Sequence, residues 1–266
     1  MTIIGTAYYN KQKYSFLSFD EKKAILFPKE KLLSLIIDPH KIISQKEIET
    51  VLSNLKFDIP VAPSKIVCVG RNYQDHAIEL GNPIPDEPLI FLKPPSCLNP
   101  TNSPIIYPPT TKDLHYEGEI ALVMRKRIKD ASKDELLNIS GLFGLTLFND
   151  VTARDLQKKD KTWTRGKGYD TFGCVGPWIR LEPIKDSYII TTKLNGNLKQ
   201  KGNTSTMKFD FYDIISYISS IMTLEPGDLI PTGTPSGVGP MSPGDIVIIS
   251  SEDLGSLKNP VINKLE

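Results

Sequence analysis

The stretch 113–124, DLHYEGEIALVM, decides how this chain is read, because it sets two carboxylates, Glu117 and Glu119, against an apolar run. On a strand alternate side chains share a face, so His115, Glu117 and Glu119 line one side, continued by Ala121 and Val123. Ile120, Leu122 and Met124 point the other way, and both faces read as buried. Two like charges at the start of such a strand repel and are costly to desolvate unless solvent, a cation or a basic partner meets them. The pair needs a counter-charge.

The rest of the chain bounds the answer. Its 266 residues can bury a large core, as one large domain or as a main domain with a small companion. With 32 Lys and Arg against 31 Asp and Glu, the charge is a formal +1 in short mixed-sign patches such as MRKRIKDASKDE (124–135). That pattern favours neither nucleic acid nor an anionic membrane as partner. The three cysteines, Cys68, Cys97 and Cys174, are far apart and lack the close pairing of a thiolate metal site, so they read as reduced thiols. The start, MTIIGTAYYNKQKYSF, lacks a charged-then-apolar leader, and no segment has the length of a bilayer span. A cytoplasmic protein is expected.

Residues 1–28 suggest short strands separated by polar turns, and 30–57 reads as more helical, interrupted by Pro39. Two prolines and a serine precede an apolar strand at 66–69, which places a soft boundary near Pro60. The expected domains are therefore a small N-terminal α+β unit at 1–60 and a catalytic unit at 61–266. In the second unit PLIFLKPPSCLN (88–99), GLFGLTLFND (141–150), SYIITTKLNG (187–196) and GDIVIIS (244–250) are strand-like runs between Pro, Gly, Asn and Asp signals. One helix stands out at FDFYDIISYISSIMTL (209–224), with Asp210 as cap and Ile214, Tyr217, Ile218 and Ile221 as its apolar stripe. A second is expected to begin in DVTARDLQKK (150–159). There is no regular βα repeat and no glycine-rich nucleotide loop, so the fold class is mainly β with α/β elements rather than a Rossmann domain.

Asp150, at an apparent strand end, can join Glu117 and Glu119 as a third oxygen ligand. Three carboxylates suit a hard divalent cation, Mg2+ or Mn2+, with further positions left for water and substrate oxygens. The competing reading is a strand mouth whose carboxylates meet solvent, Lys or Arg, with Asp150 as an ordinary helix cap.

Six segments in order, VGRNYQDHAIELG (69–81), LHYEGEIALV (114–123), LFNDVTARDLQ (147–157), WTRGKGYDTFGCVGPWI (163–179), LKQKGNTSTMKF (198–209) and LEPGDLIPTGTPSGVG (224–239), closely resemble the fumarylacetoacetate hydrolase superfamily. The resemblance spans roughly residues 62–255 and is specific to the superfamily rather than to a substrate. It implies a mixed β-sandwich roll, commonly a homodimer, with magnesium or manganese on Glu117, Glu119 and Asp150. It also points to Lys167, in RGKGYDTFG, as a contact that stabilises an enolate or carboxylate by charge. Arg154, four residues or about one helical turn after Asp150, would orient a substrate carboxylate or brace a metal ligand, and Gln157 carries the same two readings.

His76 and Glu79 are three apart, hence adjacent if their segment is helical; Glu79 would orient His76 to activate water or move a proton. In superfamily members that hydrolyse acylpyruvates or decarboxylate oxaloacetate, a similar pair sits on a segment that orders over the substrate, and Gly81, Pro83 and Pro85 fit a hinge for it. His115 is expected beside the site without ligating the metal. Thr234, in the Gly- and Pro-rich PTGTPSGVGPMSPGD (231–245), is expected to donate to a substrate carboxylate.

The expected partner is thus a small 2-oxo or 2,4-diketo acid, cleaved at a carbon–carbon bond as an acylpyruvate. Alternatives are oxaloacetate decarboxylation, the 2-hydroxyhepta-2,4-diene-1,7-dioate isomerase and 5-oxopent-3-ene-1,2,5-tricarboxylate decarboxylase reactions, sugar-acid dehydration, or a non-catalytic dimeric scaffold. The far end of the substrate is expected to meet side chains partly in ELGNPIPDEPLIF (79–91).

Overall fold

The computed structural model describes residues 1–42, 48–79, 81, 83–182 and 184–264. Its centre is the strand that the sequence singled out. Gly118–Met124 is buried along its whole length, paired antiparallel with Phe143–Asp150 on one side and Leu229–Pro231 on the other. The period of two splits its side chains between two cores: Ile120, Leu122 and Met124 enter one apolar cluster, Ala121 and Val123 another. Each large side chain so buried contributes about 1.5–3 kcal/mol.

A twelve-stranded mixed sheet grows from this strand. Toward one edge follow Phe143–Asp150, Gly173–Glu182, Thr2–Tyr9, Gln12–Ser18, Lys23–Pro28 and Ile48–Val51; toward the other, Leu229–Pro231, Ile66–Gly70 and Leu89–Lys93. A five-stranded sheet, Asn197–Asn203, Ile189–Leu194, Ile246–Ser251, Gly255–Asn263 and Ile105–Tyr107, contributes Ile190, Val247, Ile249, Leu257 and Val261 to the first cluster, closing the sandwich. Gly118 lies against the second sheet: a Cβ there would stand 2.2 Å from the Thr192 hydroxyl. The residue between the two glutamates must therefore be glycine. A three-stranded sheet, Thr152–Ala153, Leu114–Tyr116 and Gly239–Met241, lies beside the mouth of the central strands.

The N-terminal strands are joined to this framework, since Ile3 pairs with Arg180 and Ile4 with Ile179. Arg125, at the end of the central strand, donates from Nε to the Ile36 carbonyl at 2.8 Å. Among the described residues of 30–57, only Leu32–Ile37 is α-helical. Ile48–Val51 is a strand paired with Lys23–Pro28, because β-branched Ile48, Thr50 and Val51 suit an edge and a partner strand is at hand. Residues 43–47 of that stretch lie outside the described residues, as do Leu80 and Asn82 of 79–91.

The helix Phe211–Ile221 forms as expected, with Asp210 accepting from the Tyr212 and Asp213 amides at 2.9 Å. Its buried row is Phe211, Ile214, Ile215 and Ile218, whereas Ile221, assigned to the stripe from sequence, is 51% exposed. The docking row starts one turn earlier, where Phe211 stacks edge-on against Phe143. The helix expected at 150–159 begins only at Arg154. Asp150 instead ends a strand, because its ladder with Gly173–Glu182 continues to the Asp150–Gly173 pair.

Candidate active site

Oxygens of Glu117, Glu119 and Asp150 lie within 4.8 Å of one another, and all three residues are buried. Backbone pairing produces this. Glu119 is in register with Phe148, Gly118 with Asn149, and the Asp150 amide donates to the Glu117 carbonyl at 2.9 Å. Asn149 Oδ1 receives the Glu117 amide at 3.0 Å, which fixes the crossing of the chain from one sheet to the next.

Cations meet two of the carboxylates. Lys167 Nζ lies between Glu117 Oε2 at 2.7 Å and Asp150 Oδ2 at 2.6 Å, and Arg154 Nη2 donates to Glu117 Oε1. Lys93 Nζ donates to Asp150 Oδ1 at 2.6 Å. Glu119 is different: its Oε2 accepts the Gly233 amide at 2.8 Å. The electrostatics follow. Burial alone would push Glu117 up, but Lys167 and Arg154 outweigh it and hold this carboxyl well below the usual range. Burial, reinforced by Asp150 and Glu117, drives Glu119 well above that range. Burial would lower Lys93, but Asp150, together with Cys97 and Cys68, raises it.

This asymmetry tests whether a divalent cation fits. Three buried oxygen donors converge, and Glu119, which has no ion pair among the described residues, is the one burial drives toward its neutral form. A divalent ion facing Glu119 would restore its charge and supply the hard-oxygen coordination that Mg2+ or Mn2+ takes. The donor set fits such an ion.

The sequence-expected residues gather around one cavity of about 300 Å³, lined by Glu117, Glu119, Asp150, His76, Lys167, Arg154, Gln157 and Thr234. The helix Gln74–Glu79 does form, and His76 Nδ1 lies 3.2 Å from Glu79 Oε2. Glu79 also accepts the Gly237 amide at 2.9 Å, which holds the segment to the loop carrying Thr234. Gly237 is required there, with φ +95 and the Lys199 carbonyl 2.1 Å from where a Cβ would stand.

Three placements refine the sequence reading. Arg154 is not one helical turn from Asp150, since it opens the helix that follows; its guanidinium reaches Glu117 and donates to Gln157 Oε1 at 2.6 Å. Thr234 lines the cavity, but its hydroxyl donates to the Gly118 carbonyl at 2.9 Å and accepts from Gln200 at 2.8 Å. His115 bonds Asp113 at 2.7 Å. Lys93 was missed altogether. In FLKPP (91–95) it reads as the solvent end of a strand, yet it is 1% exposed. The signal was a charge sealed between an apolar run and two prolines. Val69, Gly70, Arg71, Phe91, Lys158 and Trp163 complete the lining.

Residues 65–262 match the family model described as fumarylacetoacetate (FAA) hydrolase, C-terminal. The chain belongs to the fumarylacetoacetate hydrolase family. Within it, the mitochondrial oxaloacetate decarboxylase of Dictyostelium discoideum is 47% identical over 190 residues, covering 69% of this chain and 86% of that protein. The mitochondrial oxaloacetate tautomerase FAHD1 of Bos taurus is 42% identical over 199 residues, covering 73% and 89%. The crystal structure of 5-carboxymethyl-2-hydroxymuconate delta-isomerase from Mycobacterium smegmatis superposes with a TM-score of 0.84 at 34% identity, covering 99% of this chain and 100% of that one. The mixed sandwich is thus the family's fold. Among the described residues no helix is long and apolar enough to cross a membrane.

Proposed function

We propose that this protein is a divalent-cation-dependent hydrolase that cleaves the carbon–carbon bond of acylpyruvate-like 2,4-dioxo acids. The observation that carries the reading is His76, backed by Glu79 at 3.2 Å, lining the same cavity as the Glu117, Glu119 and Asp150 cluster. A bound Mg2+ or Mn2+ would act as a Lewis acid toward the 2-oxo acid end of the substrate. Glu117, Glu119 and Asp150 would hold it.

His76 takes a proton from water as the water oxygen bonds to the distal carbonyl carbon, and Glu79 holds the imidazole in position. The bond between that carbon and C3 then breaks, its electron pair going to the pyruvate enolate. Lys167 meets the growing negative charge. His76 returns its proton to C3, giving pyruvate, or a substituted 2-oxo acid, and a carboxylic acid. Arg154 and Gln157 orient the substrate carboxylate, with Thr234 at the cavity wall.

A second reading, oxaloacetate decarboxylation, is favoured by the 47% identity to the Dictyostelium protein of that name. Loss of carbon dioxide also leaves a pyruvate enolate for Lys167 to stabilise and His76 to protonate. Proton NMR of magnesium-loaded and metal-stripped protein with acetylpyruvate and with oxaloacetate separates the two. Cation-dependent pyruvate and acetate from acetylpyruvate supports hydrolysis. Intact acetylpyruvate beside accelerated, cation-dependent pyruvate formation from oxaloacetate replaces it with decarboxylation.

Three further parts belong to this proposal: a homodimer, a cytoplasmic setting, and a companion unit at residues 1–60. The last is supported by a separate small cluster of Ile3, Ala7, Phe16, Ala24, Leu26, Leu52 and Leu55. Light scattering after size exclusion tests the dimer.

A further inference from the structure

The site holds more positive charge than its carboxylates use. Lys93, Lys167 and Arg154 are each paired with Glu117 or Asp150. Two more cations line the cavity, Arg71 and Lys158, and neither makes a hydrogen bond or ion pair among the described residues. Lys158 is exposed on the helix Arg154–Lys159, whereas Arg71 is half-buried.

Arg71 is also held in an unusual backbone state. It follows the strand Ile66–Gly70 with φ +56, in the left-handed region that L side chains disfavour. The neighbouring Asn72 locks the turn: its Nδ2 donates to the Thr232 and Phe209 carbonyls at 2.9 and 3.1 Å, and its Oδ1 accepts the Phe209 amide at 2.9 Å. The clamp fixes the base of the arginine at the junction of two hollows. One is the catalytic cavity; the other is a cleft bounded by Pro83, Pro85, Pro88, Tyr217 and the exposed carboxylates Asp86 and Glu87, neither of which pairs with the arginine. A guanidinium without a partner, on a fixed stem at the mouth of a small cavity, is a ready fork for a carboxylate, which it binds through two parallel hydrogen bonds.

We propose that Arg71 is the specificity residue for a second, distal carboxylate, so that the preferred substrates are dicarboxylic 2-oxo acids. This rests on the proposed function, in which the 2-oxo acid end lies at the Glu117, Glu119 and Asp150 cluster. The far carboxylate then meets a guanidinium that makes no ion pair among the described residues, on its cavity side away from Asp86 and Glu87.

The test uses substrates differing only in that group. Turnover of 2,4-dioxoheptane-1,7-dioate is compared with that of 2,4-dioxoheptanoate, in which a methyl replaces the distal carboxylate, for wild type, Arg71→Gly, Arg71→Lys and Lys158→Gln. Glycine suits φ +56 without strain, so Arg71→Gly should keep its melting temperature while losing the cation. The expected result is a roughly 10- to 100-fold loss of kcat/KM for the dicarboxylate, mostly in KM. The monocarboxylate should be little changed, with partial retention in Arg71→Lys. Equal losses on both acids, no loss on either, or a selective loss in Lys158→Gln instead, would overturn the assignment.

A binding arm separates this inference from the reaction itself. Fluorescence of Trp163, which lines the cavity, is titrated with 2-oxoglutarate and with 2-oxopentanoate, a pair matched in the same way. If no acid is turned over but the preference for 2-oxoglutarate is present and disappears in Arg71→Gly, Arg71 keeps its role and the hydrolase reading fails. If wild type binds both alike, the inference fails whatever the activity.

Discussion

The floor and the rim of the cavity are built in opposite ways. The floor, Glu117, Glu119 and Asp150, is set by two paired central strands, and its carboxylates are held by Lys93, Lys167, Arg154 and the Gly233 amide. The rim residues His76 and Glu79 stand on a six-residue helix tied across the cavity by the bond from the Gly237 amide to Glu79. Charged groups on sheet-locked strands are preorganised, whereas a short segment with few ties has a low local stability. The floor should therefore fix the cation, and the rim should act on the proton.

The largest expected effect breaks the floor. Glu119→Gln and Asp150→Asn should each abolish magnesium binding in calorimetry and lower turnover at least about 1000-fold. Retained activity in both would show that these carboxylates do not serve the reaction. Next comes the rim: His76→Asn should lower kcat about 100- to 10,000-fold with cation affinity unchanged. A parallel loss of cation affinity would erase the distinction between the two regions.

Lys93→Met tests the floor as structure. Removing one partner of a fully buried pair leaves Asp150 less compensated, and should cost about 3–5 kcal/mol, read by urea unfolding without metal. An unchanged midpoint would mean that Lys167 alone satisfies Asp150.

A smaller effect sharpens the electrostatic difference inside the floor. Burial, then Asp150 and Glu117, raise Glu119, so without a cation this group keeps its proton above the pH at which a free glutamate loses it. Cation binding needs the ionised form. Magnesium affinity should therefore rise with pH, and binding should release protons, seen as heats that differ between buffers of unlike ionisation enthalpy. Flat affinity and buffer-independent heats would contradict it. The mildest change, Glu79→Gln, keeps an acceptor for Gly237 but removes the charge beside His76, and should cost roughly 10-fold in kcat.

The sequence by itself determined the central strand, its division between two cores, the Asp210-capped helix and the His76–Glu79 adjacency. Each depends on a local period or cap that a few neighbouring residues specify. The residues themselves singled out the three carboxylates, and the resemblance pointed to Lys167. Only the tertiary structure decided what surrounds them. Lys93 and Asp150 are 57 residues apart, Arg154 and Glu117 are 37 apart, and no spacing rule reaches across such gaps. The same holds for Ile221, whose place on a helical stripe could not say which side of the helix would dock. For Glu119, sequence established that a counter-charge was needed. The fold showed that the nearby cations serve Glu117 and Asp150, because two short helices present Arg154 and Lys167, and the end of the strand Leu89–Lys93 presents Lys93, to those two side chains.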